Sequence, residues 1–242
     1  MLQVSNINKS FHSTHALNGC SLTANSNKIT AIVGPNGAGK TTLFNIVSGY
    51  TKPDSGSILL SDNNLRGLRP HDIYRLGVAR TWQQVNLFKS LLVWQHLVIA
   101  ENNNDSKIIN NLIHHENTPW QRYKKHLKDY GLDNYLKTQV GSLSFGQSKL
   151  LQLAMVLLRN NQLILLDEPI AGVNHVVQQR IEKILLNLKK RNRTLVLIEH
   201  NIEFVKKIAD KVIVLNQGKV LAEGKPTEIF NNQKVINSYL GT

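Results

Sequence analysis

The chain has 242 residues, 41% hydrophobic and 19% charged, a balance that sustains a packed core and excludes wholesale disorder. Its longest aliphatic runs, such as residues 163–166, are far shorter than the about 20 apolar residues of a bilayer-spanning helix, and Cys20 is the single cysteine, so no disulfide framework exists. The 29 Lys and Arg against 16 Asp and Glu give a net charge of +13, spread along the chain, which fits a nucleotide, an anionic membrane face or nucleic acid.

In chain order, short β-type runs at 3–7, 28–33, 57–60 and 77–81 are bounded by turn signals such as Lys52-Pro-Asp-Ser-Gly56. Residues 93–160 carry apolar side chains at helical spacing, predicting helices over 93–100, 121–130 and 147–159. From 161 onward strands and helices alternate: strand 163–167, helix 176–190, strand 194–199, helix 202–209, strand 211–215. Apolar strands alternating with amphipathic helices predict a parallel sheet covered on both faces, with the middle helical block inserted into it. The polar patch 101–106 reads as a surface loop. The opening residues lack the apolar stretch of a secretory signal, so a cytoplasmic location is expected.

Three motifs carry chemistry. The first, Gly34-Pro35-Asn36-Gly37-Ala38-Gly39-Lys40-Thr41-Thr42, follows the strand ending at Val33 and precedes an apolar helix. This is the G-x-x-x-x-G-K-[ST] phosphate-binding loop in its strand–loop–helix setting. Its glycines let backbone N–H groups converge on phosphate oxygens at a helix N-terminus. Lys40 then reaches the β- and γ-phosphates, and the Thr41 hydroxyl serves Mg²⁺. The second motif is the apolar run that closes on Asp167-Glu168-Pro169 and sets two acids at the C-terminal edge of a parallel sheet. Asp167 suits a metal ligand and Glu168 a base for the attacking water. The third is Leu143-Ser144-Phe145-Gly146-Gln147, where Ser144 and the Gly146 backbone form a second anion site at a helix start. The same Ser-x-x-Gln spacing is also a capping box, which an ordinary helix would carry equally well.

With these motifs in place, the chain resembles the ATP-binding cassette (ABC) ATPases from about residue 2 to 241. That resemblance implies an α/β P-loop cassette: a mainly parallel sheet flanked by helices, an antiparallel β part and an inserted helical subdomain. It further implies that the whole chain, 1–242, is one such domain, with a RecA-like core over about 1–85 and 161–242 and a helical subdomain over about 86–160. Phe11 falls where the family stacks an aromatic on adenine. Gln83 matches the Q-loop glutamine that senses Mg²⁺ and the γ-phosphate, with Gln84 as the neighbouring candidate. Ala171-Gly-Val-Asn174 matches the loop that crosses the dimer interface, and His200 the switch histidine at the γ-phosphate.

The expected ligands are ATP, held by residues 34–42 with Ser144, Gly146 and Gln147, and Mg²⁺, held by Thr41, Gln83 and Asp167; Glu168, His200 and Gln83 are the catalytic set. Stretches such as Val78-Ala-Arg-Thr-Trp-Gln83 and Ile198-Glu-His-Asn201 are similar to the high-affinity branched-chain amino acid importers. This likeness implies ATP hydrolysis at the cytoplasmic face of the membrane. It also implies a second cassette subunit, two transmembrane permease subunits and, indirectly, a periplasmic binding protein. The surface around 83–93 is then expected to bind a permease helix. One departure is the helix after the signature, Ser148-Lys-Leu-Leu-Gln-Leu-Ala-Met155, which lacks the family's Arg-rich start. Urea importers and the lipopolysaccharide-export ATPase share most of these features. A soluble cassette acting on nucleic acid or ribosomes would carry two cassettes or a long insertion. No nucleic-acid partner is expected, because aromatics make up 6% of the chain and none alternate with basic residues as a base-stacking platform would.

Overall fold

The computed structural model describes residues 1–101 and 119–240. The described residues divide into two compact units. The first comprises Met1–Arg80, Asn161–Glu168 and the chain from Leu186 onward; the second comprises Thr81–Asn160 and Pro169–Leu185.

The first unit holds two sheets. Strands β1 (Leu2–Phe11), β2 (Thr14–Ala24), β4 (Ser55–Leu60) and β5 (Asn63–Asn64) form an antiparallel sheet in the order β2-β1-β4-β5. The second sheet has the order β10-β9-β3-β8-β7-β6, from β3 (Ile29–Val33), β6 (Val78–Arg80), β7 (Leu163–Asp167), β8 (Thr194–Ile198), β9 (Lys211–Asn216) and β10 (Lys219–Gly224). Its strands run parallel except β10, which is antiparallel to β9. Every residue of β3, β7 and β8 is buried, as unbroken apolar runs covered on both faces must be. Ile7, Leu17, Phe44, Leu165, Ile198 and Leu215 belong to one core that joins both sheets and helix α1 (Lys40–Val47). The same unit contains α2 (Pro70–Arg75), opened by proline at its first turn.

Strand β2 is absent from the β runs of the sequence, and its geometry says why. Its buried positions are Leu17, Cys20, Leu22 and Ala24, so strict alternation fails between the first two. The pairing with β1 slips there, from Lys9–Leu17 to Ile7–Cys20, and Gly19 takes φ 68° beside it. A bulge inserts one residue and shifts the period-2 pattern by one position. The other expected strands and helices form within a few residues of their predicted bounds.

The second unit carries α3 (Val93–Glu101), α4 (Trp120–Lys128), a 3₁₀ turn (Val140–Ser142) and α5 (Phe145–Leu157). The polar patch at 102–106 lies outside the described residues. This unit also takes in Pro169–Leu185, and with it most of α6 (His175–Lys190), for identifiable reasons. Arg180 donates to the Tyr130 carbonyl at 3.0 Å. A Cβ placed on Gly172 would lie 3.1 Å from the Phe145 ring, and one on Gly146 would lie 2.9 Å from Val177. Helices α7 (Ile202–Ile208), α8 (Pro226–Ile229) and α9 (Gln233–Leu240) complete the chain in the first unit.

Candidate functional site

Strand order builds the site. β3, β8 and β7 are adjacent, and Ile32, Ile198 and Asp167 stand in one row across them. The segments leaving that edge are therefore neighbours: Gly34–Gly39 after β3, Glu199–His200 after β8, and Glu168 after β7. The carboxyl edge of parallel strands is where open α/β sheets take ligands.

The loop after β3 has the backbone that its glycines predict. Gly34, Gly37 and Gly39 all have positive φ, at 153°, 79° and 98°. A Cβ on Gly34 would come within 2.0 Å of the Leu215 carbonyl oxygen, and one on Gly39 within 2.4 Å of that of Ala16, whereas Gly37 faces open space. Gly218 N–H donates to the Ala38 carbonyl at 3.1 Å, bracing the loop from behind. Helix α1 opens at Gly39 with no side-chain cap and no acid in its first turn. Its leading amides are thus not taken by side chains of their own helix, the arrangement that suits an anion. Lys40 is buried and its ammonium donates to the Gly34 and Pro35 carbonyls at 2.7 and 2.8 Å. Burial lowers its pKa, and the Glu168 and Asp167 carboxylates work in the opposite direction. Thr41 is exposed and Thr42 half-buried at the head of the helix, while Asn36 is exposed on the loop.

The two acids of β7 differ sharply. Asp167 is buried, and its Oδ2 pairs with Arg80 Nη2 at 3.1 Å, each side chain only 4% exposed. Arg80 also donates to Asn45 Oδ1 at 2.7 Å and Ser48 Oγ at 3.0 Å, and its guanidinium lies over the Phe44 ring. Burial lowers the Arg80 pKa, with Asp167 acting against it. One cation thus ties β6, α1 and Asp167 together, a role the sequence reading misses; the available signal is a lone arginine ending an apolar strand. Glu168 has left the strand with φ 46°, a left-handed conformation rare outside glycine. Its Oε1 lies 3.2 Å from His200 Nε2, and its own N–H donates to the Ile198 carbonyl at 3.0 Å. The structure therefore gathers Lys40, Asp167, Glu168 and His200 at one sheet edge within the first unit. Phe11 ends β1 of the same unit, 46% exposed, with the Lys9 ammonium 5.3 Å from its ring centre.

The remaining expected residues belong to the second unit. Ser144 caps α5: its Oγ accepts from Gln147 N–H at 3.3 Å, and Gln147 Oε1 accepts from Ser144 N–H at 2.9 Å. The capping box is real, and it occupies the motif proposed to bind an anion. Gln83 is exposed. Gln83, Val85, Leu87, Lys89, Val140 and Phe145 help to line a groove of about 520 Å³. Among the described residues no cluster of three or more His, Cys, Asp or Glu could hold a metal, and no helix is long and apolar enough to cross a membrane. The pair His114–His115 lies outside the described residues.

Comparison with known proteins agrees with this geometry. The family model described as ABC transporter matches residues 17–171, and the model described as branched-chain amino acid ATP-binding cassette transporter matches residues 219–242. The chain is 34% identical over its full length to the probable branched-chain amino acid transport ATP-binding protein LivG of Archaeoglobus fulgidus, covering 95% of that protein. It is 34% identical to the high-affinity branched-chain amino acid transport ATP-binding protein LivG of Escherichia coli K12 and 35% identical to BraF of Pseudomonas aeruginosa; all of this chain and 98% of each relative align. A crystal structure of a nucleotide-free ATP-binding cassette from an ABC transporter superposes with a TM-score of 0.87 at 31% identity, over 100% of this chain and 99% of that one. The ADP conformation of such a cassette gives the same TM-score, identity and coverage.

Proposed function

The chain belongs to the ABC transporter family and is an ATPase subunit of that kind, and from that premise we propose that it powers the import of branched-chain amino acids or a related small solute. The observation that carries the site assignment is the convergence of Lys40, Asp167, Glu168 and His200 at the edge of three neighbouring strands. The solute class is supported by relatives named for branched-chain amino acid transport that align end to end with this chain.

In this reading the loop amides of 34–42 and Lys40 hold the β- and γ-phosphates of ATP. Lys40 exchanges the Gly34 and Pro35 carbonyls for phosphate oxygens, which keeps a buried ammonium hydrogen-bonded throughout. Phe11 offers an exposed ring for the adenine. Glu168 takes the proton of the attacking water, and His200 steadies the carboxylate through the 3.2 Å contact. Thr41 and Asp167, a hydroxyl and a carboxylate of the first unit, are donors that fit Mg²⁺ together with phosphate oxygens, and the Gln83 amide oxygen is a donor of the same hard kind. When bound, Mg²⁺ neutralises phosphate charge.

Two cassettes, identical or related, would meet head to tail, so that Ser144 and Gly146 of one face the nucleotide of the other. The groove beside Gln83 offers apolar Val85, Leu87, Val140 and Phe145 under a Lys89 rim, a fit for the amphipathic helix of a transmembrane permease. Such a partner would place the chain at the cytoplasmic face of the membrane and indirectly couple it to a periplasmic binding protein. The decisive experiment is Lys40→Ala in the purified chain, with ATP binding and phosphate release both measured. Both should collapse. Wild-type hydrolysis by that variant would refute the phosphate-loop assignment.

A further inference from the structure

The helix that starts at Ser144 holds the backbone around Gln83 from the side. Lys149 is buried in α5, and its ammonium donates to the Gln83 carbonyl at 2.9 Å. Gln152, three residues on and so on the same helix face, donates to the Trp82 and Gln84 carbonyls, both at 3.2 Å. Three successive carbonyls are thereby gripped by two side chains of one helix. The far end of the segment is fixed separately: Gly141 N–H donates to the Lys89 carbonyl at 2.9 Å, Val140 N–H to that of Leu91 at 2.9 Å, and Phe88 N–H to His96 Nε2 at 3.1 Å. The stretch between is the wall of the groove that holds Gln83, Gln84, Val85 and Leu87.

A lysine in this place is costly unless the contact does something. Leucines occupy the neighbouring buried positions of α5, and an ammonium there requires a hydrogen-bond acceptor. The carbonyl it uses belongs to Gln83 itself.

We propose that Lys149 and Gln152 are positioning residues for Gln83: they clasp residues 82–84 to α5, so that the signature helix, the glutamine and the groove wall move as one body. This rests on the ATPase reading for its kinetic consequence but not for its structural one. A displacement at the Ser144 end of α5 is then felt at Gln83 and in the groove without any further element between them. Seating of a helix in the groove would act back on Ser144 by the same path, as reciprocity of coupling demands.

The test uses the full-length chain with Lys149→Met, Gln152→Leu and Lys149→Arg, and reads amide hydrogen exchange over 82–92, ATP affinity and turnover. Lys149→Met should raise exchange in that segment about tenfold, since local opening is set by the contacts that close it. ATP affinity should stay within about twofold, while kcat falls about tenfold, less than the ~10² that a 1 Å misplacement can cost. Lys149→Arg restores the donor and should recover most of both losses. Gln152→Leu, at a half-buried position, should act in the same direction more weakly and guards against a Lys149→Met chain that does not fold. Unchanged exchange in both variants overturns the proposal. So does a fall in kcat matched by an equal fall in ATP affinity, or an arginine variant no better than methionine. If the wild-type chain released no phosphate from ATP, the ATPase reading would fall, and the exchange data alone would still decide the clasp.

Discussion

Two helices begin at the two motifs that matter most, and they begin in opposite ways. Helix α1 starts at Gly39, left-handed, with no side-chain cap, behind a loop whose glycines let the backbone pass within contact of Leu215 and Ala16. Helix α5 starts at Ser144 with a complete capping box, in which the Gln147 amide is answered by Ser144 and the Ser144 amide by Gln147. The first start is unfinished without a ligand for its amides. The second answers its own Gln147 amide, so Ser144 Oγ serves an anion only by sharing or leaving that bond. That difference explains why the phosphate loop declares itself by spacing alone, whereas the signature needs its neighbours to be read.

The comparison can be broken first at the catalytic edge. Glu168→Gln should keep nucleotide binding, because the amide is nearly isosteric and Lys40 is untouched, yet reduce turnover by roughly 10²–10⁴-fold. With hydrolysis blocked, size-exclusion chromatography should show an ATP-dependent dimer, alone or with a partner cassette. Adding Ser144→Arg should abolish that dimer by filling the second helix start. Full activity in Glu168→Gln would remove the carboxylate from the mechanism.

The neighbouring acid should fail differently. Asp167→Asn takes the counter-charge from the buried guanidinium of Arg80 and leaves it neutral acceptors alone, and removing the charge of one partner of a buried pair costs up to about 3–5 kcal/mol. Chemical denaturation should register that loss without any nucleotide present, while Glu168→Gln should unfold near the wild-type midpoint. Equal stability of the two variants would contradict the paired geometry of Asp167.

Within the loop, Gly39→Ala and Gly37→Ala separate crowding from backbone strain. Both residues have positive φ, which costs about 1–2 kcal/mol for a side chain in that region. Only the Gly39 side chain would also meet a carbonyl, at 2.4 Å, so its variant should reach the ~3 kcal/mol end of single-substitution effects. The smallest effect belongs to the other helix start. Ser144→Ala removes a cap worth about 1 kcal/mol and should leave ATP binding by the single chain unchanged. A large loss of binding would mean that Ser144 serves the nucleotide of its own chain.

These contrasts also show how far a sequence can be read. Strand β7 is legible to the residue, because four buried apolar positions closed by an acid have one simple solution in a covered parallel sheet. The phosphate loop is equally legible, since its glycines are dictated by conformation and close approach. β2 escapes detection because a bulge near Gly19 shifts the alternation on which detection relies. Arg80 and Lys149 escape for a different reason: their partners lie 87 and 66 residues away. Local pattern says that a cation in an apolar segment must find an acceptor, but only the tertiary pairing says which. The membership of Pro169–Leu185 in the second unit is hidden likewise, resting on contacts such as Arg180 with Tyr130.

The left-handed backbone of Glu168 carries an evolutionary meaning. A side chain held at φ 46° is disfavoured by roughly 1–2 kcal/mol, and glycine at that place would relieve the strain. Mutation alone would therefore drift toward glycine, which gains stability and loses the carboxylate. In the proposed mechanism, glutamate at this place gives up that stability for hydrolysis. A copy of this gene released from ATP turnover, such as the silent half of a mixed cassette pair, should show the release at position 168 before its fold decays elsewhere.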